Sequence, residues 1–217
     1  MKRYLIALIL IAAAGAAFSA PNFFGTSGNI ITPDDTVLGP GAFSANFHVI
    51  DFESDSTNFL GASLGITPNL EVGIGRISDG DDHTIVNGKY QLLAETASRP
   101  SVVVGVFDAS SELDDDASFY VLIGKNLTSV ASNIADQPSR PLHGVLGVGG
   151  GFFDGLFGAL DWTLTDKISL IAELTANNAF SFNVGARVAL TNELRGDIAL
   201  IDGDDLGFGI SYTKIGL

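Results

Sequence analysis

The stretch "AFSFNVGARVAL", residues 179–190, alternates strictly along its length. Its even-numbered positions are all apolar: Phe180, Phe182, Val184, Ala186, Val188 and Leu190. Its odd-numbered positions are Ser181, Asn183, Gly185, Arg187 and Ala189. A period of two indicates a β-strand that turns one face toward an apolar medium and the other toward a polar one. The apolar medium is a protein core in a soluble sandwich and lipid in a membrane barrel.

The first 19 residues have the composition of a secretory signal peptide. Lys2 and Arg3 precede an apolar run that extends to Ala17, and small residues follow. Their positions favour cleavage after Ser19. The run is shorter than the ~20 residues that a spanning helix needs, and glycines and charges interrupt every later apolar stretch. We therefore expect an exported chain that crosses a membrane with strands, if it crosses one.

The composition fits an exported β protein. The chain has 26 Gly, 15 Phe and no Cys, which excludes disulfides and cysteine-ligated metals. Its formal net charge is −14 and becomes −16 when Lys2 and Arg3 leave, so nucleic acid is not an expected partner. The Gly-rich "GVLGVGGGFFDG" lacks the Lys-Ser or Lys-Thr of a phosphate loop, and we expect no cofactor.

Strand patterns follow one another along the rest of the chain. Most are eight to eleven residues long, close to the ~9–11 that a tilted strand needs to cross a bilayer. The predicted strands are 42–52, 58–66, 70–77, 83–93, 100–108, 117–126, 141–149, 157–164, 168–175, 179–190, 194–201 and 206–215. The sequence thus predicts an all-β protein, an antiparallel up-and-down transmembrane β-barrel of about twelve strands. Its domain would span 42–217, after an N-terminal segment at 20–41 that is periplasmic or luminal.

The predicted connections alternate between two kinds. Short ones begin with Thr, in "GITPNLEV", "TLTDKISL" and "ALTNELRG". The others are acidic: 53–56, 78–82, 110–116, "FFDG" with Asp154, and 202–205. Tight turns at one end and polar loops at the other are typical of membrane barrels. The long segment 126–140 is the exception, because it falls on the turn side; it either folds into the lumen or indicates a different strand count there.

A mixed-sign set of polar side chains would face the lumen if the apolar set faces lipid. Arg or Lys on the lipid face costs roughly 2–4 kcal/mol near mid-bilayer, so the charges fix the face. The predicted lumen-facing residues are His48, Asn87, Lys89, Gln91, His143, Asp161, Glu173, Asn183, Arg187, Arg195 and Asp197. In a barrel of this size such residues more often form a salt-bridged filling than a catalytic or transport site. Two strands alternate poorly and leave Glu71, Arg76 and Lys125 unassigned.

The acidic loops offer a second kind of site. Their carboxylates are close enough in sequence to bind Ca²⁺ or Mg²⁺, which would bridge them to lipopolysaccharide phosphates. The candidate metal ligands are Asp79, Asp81, Asp82, Asp202, Asp204 and Asp205. Neither loop has the spacing of an EF-hand, and a solvated loop explains the same residues.

The histidines are the remaining candidates for chemistry. His48, His83 and His143 are scattered and lack metal-ligand spacing. A barrel enzyme would need a Ser and a His together at the lipid edge, whereas His48 and His143 fall in the inward phase. We therefore expect no catalytic residues and no enzymatic activity.

Several stretches, in order along the chain, carry a family resemblance. They are "NIITPDD", "LGITPNLEVGIG", "VNGKYQLLAE", "PSVVVGVFD", "SFYVLIGKNL", "LHGVLGVGGGFFDGLFGALDW" and "ISLIAELTANN". In this succession the chain resembles the YjbH-like family of bacterial outer-membrane β-barrel proteins, from about Thr26 to Lys214. Family members are usually longer, so the resemblance implies a single short barrel unit. The end "GISYTKIGL" lacks the terminal Phe typical of such barrels, leaving Tyr212, Ile215 or Leu217 to serve in assembly.

The resemblance also implies a location and partners. These are the outer membrane of a diderm bacterium, its lipid, and polysaccharide or export components linked to exopolysaccharide production. The favoured function is a non-enzymatic, porin-like barrel, structural or passage-forming. The alternatives are a barrel enzyme acting on lipid or glycan, and a secreted soluble β-barrel or β-sandwich binding protein whose apolar face packs a core.

Overall fold

The computed structural model describes residues 20–51, 56–113, 115–128, 142–176 and 181–216. Its twelve described strands form one closed antiparallel barrel, which confirms the predicted fold class. They are β1 (Phe43–Asp51), β2 (Ser56–Thr67), β3 (Leu70–Ser78), β4 (Asp82–Leu93), β5 (Ser101–Phe107), β6 (Ser118–Asn126), β7 (Leu142–Gly149), β8 (Gly155–Thr165), β9 (Ile168–Leu174), β10 (Phe182–Ala189), β11 (Leu194–Ile201) and β12 (Asp205–Lys214). The predicted signal peptide at 1–19 lies outside the described residues.

Each strand pairs with its neighbours in chain order, and β1 pairs with β12 to close the ring. Across this closing pair Phe43 faces Lys214 and Asp51 faces Leu206. Every described strand therefore has a hydrogen-bonded partner on both sides, which a barrel needs in lipid. Within the described part of the chain, no helix is long and apolar enough to cross a membrane.

The connections between strands lie at two ends of the barrel. The turn end, as we call it, holds the connections at 68–69, 94–100, 166–167 and 190–193. The loop end holds the acidic connections, among them 79–81, 108–117 and 202–204. The chain enters β1 and leaves β12 at the turn end. The connection from β6 to β7 is also there, but residues 129–141 of this predicted exception lie outside the described part.

The exterior of the barrel is apolar. Large side chains stand well exposed all around it, such as Ile74 at 53 %, Phe119 at 67 % and Leu156 at 67 %. On β10, Phe182 is exposed and its neighbour Asn183 is buried, so the alternation in "AFSFNVGARVAL" separates exterior from interior. A contiguous apolar exterior of this kind is solvated by lipid and would promote aggregation in water.

Residues 20–41, which we call the plug segment, lie inside the barrel. Phe23 and Phe24 are buried in the same apolar cluster as inward side chains of the strands. The Phe24 ring packs edge-on against Phe59 and Phe107, at centroid distances of 5.4 Å and 4.9 Å. Such edge-to-face pairs stabilise beyond the area that they bury. A short 3-10 helix, Gly151–Phe153, adds a further ring near Phe107.

The interior has two parts. Inward apolar side chains, among them Ile50, Ile77 and Ile201, occupy strand positions near the loop end. Inward charged side chains, such as Glu71 and Lys89, occupy positions nearer the turn end. The plug segment crosses both parts, with its phenylalanines in the apolar part and its later residues in the polar part.

Candidate functional site: the plug segment and the luminal wall

The polar residues predicted to face the lumen lie on the side of the wall opposite to the exposed apolar side chains. Six are buried: His48, Asn87, Lys89, Glu173, Asn183 and Arg195. Five are partly buried: Gln91, His143, Asp161, Arg187 and Asp197. Most of them contact the plug segment, and their charges and amides meet its backbone. The structure therefore brings most of these residues together around residues 20–41, for which the sequence left a periplasmic and a luminal position open.

Two wall carboxylates hold the plug segment through its backbone N–H groups. Glu173 Oε1 accepts from Ile30 N at 2.6 Å and from Thr32 N at 3.2 Å, while its Oε2 accepts from Ile31 N at 3.0 Å. Asn183 also donates to Glu173. A carboxylate buried in a protein needs several donors to offset the loss of water. A turn of the plug segment supplies them here.

Glu71 is the second wall carboxylate that binds the plug segment, at residues before and after the turn that Glu173 holds. Its carboxylate accepts from Ser27 N at 2.7 Å, from Ser27 Oγ at 2.5 Å and from Leu38 N at 2.9 Å. Glu71 is fully buried. The sequence analysis left Glu71 without an assigned face. In the structure Glu71 points inward with Gly73 and Gly75, whereas Val72 and Ile74 point outward. The apolar pair Val72 and Ile74 was therefore the signal that could have placed Glu71 in the lumen.

Two wall cations complement the carboxylates by binding plug carbonyls. Lys89 Nζ donates to Ser27 O at 2.7 Å and to Asp34 Oδ1 at 3.0 Å. Arg187 Nη2 donates to Asn29 O at 2.8 Å, and its Nε donates to Asp197 Oδ1 at 2.6 Å. Removing one partner of such a buried pair is strongly unfavourable, because the other charge stays unpaired.

Wall amides contact the phenylalanine pair of the plug segment. Asn46 donates to Phe23 O and Asn87 donates to Phe24 O, each at 3.1 Å. The ring of His48 stacks on Phe23 with centroids 4.0 Å apart. Buried backbone carbonyls are thus paired as they would be in a sheet.

Asp197, Asp161 and Gln91 also have contacts inside the barrel. His48 Nε2 lies 3.2 Å from Asp197 Oδ2, so Asp197 joins His48 to Arg187. Asp161 contacts Ser169 on the next strand. Gln91 donates to Asp35 O at 3.2 Å.

Asp35 joins the plug segment to the wall at the turn end. Its carboxylate accepts from Ser101 Oγ, and its Oδ1 lies 2.9 Å from His143 Nε2. Burial raises the pKa of the Asp35 carboxyl, and the neighbouring Asp34 carboxylate acts in the same direction. Glu95 stands beside this pair, because the ligating atoms of Asp35, Glu95 and His143 all lie within 4.8 Å of one another.

Inward glycines allow the plug segment to approach the wall closely. A Cβ on Gly61 would lie 2.5 Å from Gly25 Cα, and one on Gly65 would overlap Gly39 O. Neither backbone contact can be relieved by a side-chain rotation. The glycines of β2 are thus required by the plug segment rather than by the strand itself.

The acidic loops and the third histidine lie away from the plug segment. Asp82 is paired with Arg76 on the barrel exterior, and Asp202 accepts from Ser181. His83 Nε2 lies 3.9 Å from Asp79 Oδ1. Among the described residues, the six predicted ligands do not converge as three possible metal ligands; the described group that does is Asp35, Glu95 and His143.

The geometry defines a class of protein: a closed twelve-stranded β-barrel whose lumen holds its own N-terminal segment. Solved structures that are similar to the chain in fold include two of a porin. KdgM porin matches with a TM-score of 0.51 and 14% identity, covering 79% of this chain and 98% of that one. KdgM porin in complex with disordered oligogalacturonate matches with a TM-score of 0.52 and 12% identity, covering 78% and 98%. No protein-family model and no curated protein matches the sequence.

Proposed function

We propose that the protein is a non-enzymatic outer-membrane β-barrel whose lumen is closed at rest by its own plug segment. The carrying observation is the set of wall charges, Glu71, Lys89, Glu173 and Arg187, all of which bind the plug backbone. A passage through the barrel then requires the plug segment to move. The sequence-based hypothesis of a structural or passage-forming barrel becomes, in this form, a closed passage.

The apolar exterior supports the membrane location. Leu60, Ile74 and Leu174 are each more than half exposed on the exterior. In a secreted soluble barrel these large apolar side chains would face water, which is unfavourable. Lipid is the medium in which such a surface is stable, and a closed ring leaves its backbone satisfied there. The barrel architecture and the predicted export signal both favour an outer membrane as that medium.

The contacts of the histidines favour a non-enzymatic role. His48 is enclosed by Phe23 and Asp197 inside the barrel, and His143 faces Asp35. These contacts fix the plug segment and present no nucleophile to lipid. The barrel-enzyme alternative is tested by replacing His48, His83 and His143 one at a time with Gln, because a hydrolysis that depends on a histidine would be lost in at least one of the three variants.

Conductance across a planar lipid bilayer tests the closed passage. The full chain is compared with a variant lacking residues 20–38, and heat-modifiable gel migration checks that both are folded. We expect a silent full chain and a conducting variant. A second variant, Glu71→Gln with Glu173→Gln, retains the whole plug segment and should conduct intermittently. The matched control, Glu112→Gln in an exposed loop, should not conduct.

Two results would overturn the proposal. Equal conductance of the full chain and the shortened variant would show that the plug segment does not close the lumen. A folded shortened variant without conductance would show that the barrel is structural and not a passage.

A role in exopolysaccharide production is a further proposal, and it is supported only by the resemblance to the YjbH-like family. Its test is the exopolysaccharide yield of cells without the protein, with the protein restored, and with the Glu71→Gln, Glu173→Gln variant. A yield that is the same in all three would remove this part of the proposal.

A further inference from the structure

Three residues from separate parts of the chain meet at the turn end of the barrel. Asp35 belongs to the plug segment, Glu95 follows β4, and His143 lies on β7. One ligand atom of each lies within 4.8 Å of those of the other two. We propose that these residues bind a divalent transition-metal ion, with Zn²⁺ as the best match, and that the ion joins the plug segment to the wall.

The strongest observation is a pair of buried polar atoms that the described residues leave without hydrogen bonds. Asp35 Oδ1 and His143 Nε2 are each shielded from solvent, and neither has a hydrogen-bond partner. They lie 2.9 Å apart, but not in the geometry of a hydrogen bond. Asp35 as a whole is only 5 % exposed. Buried polar atoms are normally hydrogen-bonded, so this pair, whose atoms contact each other only as an ion pair, indicates a ligand that both atoms bind.

The surroundings orient the two carboxylates. Ser101 donates to Asp35 Oδ2 and thereby directs Oδ1 toward His143. Asn126 N donates to Glu95 Oε1 at 3.0 Å, and Lys125 Nζ lies 3.2 Å from the same oxygen. These two contacts hold the Glu95 carboxylate in place beside Asp35 and His143. Such outer contacts fix the orientation of ligands and raise affinity.

The ligand set selects the metal. One imidazole and two carboxylates suit Zn²⁺, whereas Ca²⁺ takes six or more oxygen ligands. Tetrahedral bonds of about 2.0–2.1 Å place ligand atoms roughly 3.3–3.4 Å apart, so the Asp35 and His143 atoms need to separate by a few tenths of an ångström. The Glu95 and His143 side chains are 29 % and 27 % exposed, which leaves access for the ion and for water as a fourth ligand.

The site has a consequence for the plug segment. Because Asp35 belongs to the plug segment and the other two ligands belong to the wall, the complete site exists only in the closed barrel. A metal that binds only this state stabilises it by mass action. This consequence rests on the proposed function, whereas metal binding itself does not.

Calorimetric titration of the full chain with Zn²⁺ in detergent, after removal of metals by a chelator, tests the site directly. We expect one equivalent to bind tightly. His143→Gln and Glu95→Gln should each weaken binding at least about tenfold, the lower bound seen even for residues that only support ligands. The matched control is Asp79→Asn with His83→Gln, a second His–Asp pair at the loop end, which should leave binding unchanged.

Heat-modifiable gel migration separates misfolding from ligand loss, and Co²⁺ absorption in place of Zn²⁺ reports coordination without activity. Absence of stoichiometric binding to the folded full chain would overturn the site and mean that Asp35 and His143 form only an ion pair. Binding that survives both ligand variants, or is lost in the control, would place the metal elsewhere. Conductance plays no part in this test, so its outcome is independent of the proposed function.

Discussion

Glu173→Gln is the most informative single change in the lumen. The carboxylate accepts hydrogen bonds from the backbone N–H groups of Ile30, Ile31 and Thr32 and from the Thr32 hydroxyl. The Gln side chain keeps one oxygen as an acceptor, but its NH₂ group is itself a donor and cannot accept from the N–H groups that point at it. The negative charge is also lost. Each buried donor left unsatisfied costs about 1–3 kcal/mol. The remaining oxygen can still accept from some of these donors. We therefore expect the closed state to be destabilised by about 3 kcal/mol relative to the open state, which is roughly a hundredfold in the opening equilibrium.

The opening equilibrium can be measured by thiol labelling, because the chain has no native cysteine that would also react. A Thr26→Cys reporter, buried in the plug segment, is labelled by a water-soluble maleimide only when the segment leaves the lumen. In the Glu173→Gln background we expect labelling to be roughly a hundred times faster, as the opening equilibrium requires. Glu112→Gln, the same change in an exposed loop, should leave the rate unaltered. A rate in the Glu173→Gln background within about twofold of the reporter alone would refute the role of this carboxylate.

Two further changes separate the interior from the exterior. Gly65→Ala places a methyl group against Gly39 O and should increase reporter labelling as strongly as Glu173→Gln. Gly88→Ala on the exterior is the control and should not increase it. Equal labelling rates in the two variants would contradict the close contact between β2 and the plug segment. Ile74→Arg on the exterior should cost about 2–4 kcal/mol of folding free energy in lipid vesicles, measured by urea titration. Asn69→Arg in a turn should cost little, and equal costs would mean that Ile74 does not face lipid.

The strands were predictable because their physics is local. Alternation with period two is visible in "AFSFNVGARVAL", and the structure places Phe182 outside and Asn183 inside. The strand count holds because each apolar run ends in a turn signal or an acidic loop. Arg187 and Glu173 could be placed by phase, since a charge on the lipid face is costly.

The partner of these charges was not predictable by the same means. Residues 20–41 have no strand or helix period, because their shape is set by wall groups that are distant in sequence. The contact between Ile30 N and Glu173, for example, spans 143 residues. Likewise, Asp35, Glu95 and His143 become neighbours only when the ring closes. Spacing along the chain carries no sign of such an encounter.

The charges of the lumen and the plug segment depend on each other. Glu71, Glu173, Lys89 and Arg187 would be too costly to bury in a dry barrel, so each needs either the plug backbone or water as its partner. Opening therefore exchanges backbone partners for water and leaves these two carboxylates and two cations in a lumen that Asp161, Asp197 and Arg195 also line, so that charges of both signs remain mixed. Opposite charges at close quarters largely cancel in their effect on passing ions. The barrel without residues 20–38 should consequently show little preference between cations and anions, and a strongly selective reversal potential would mean that these four side chains do not line the open path.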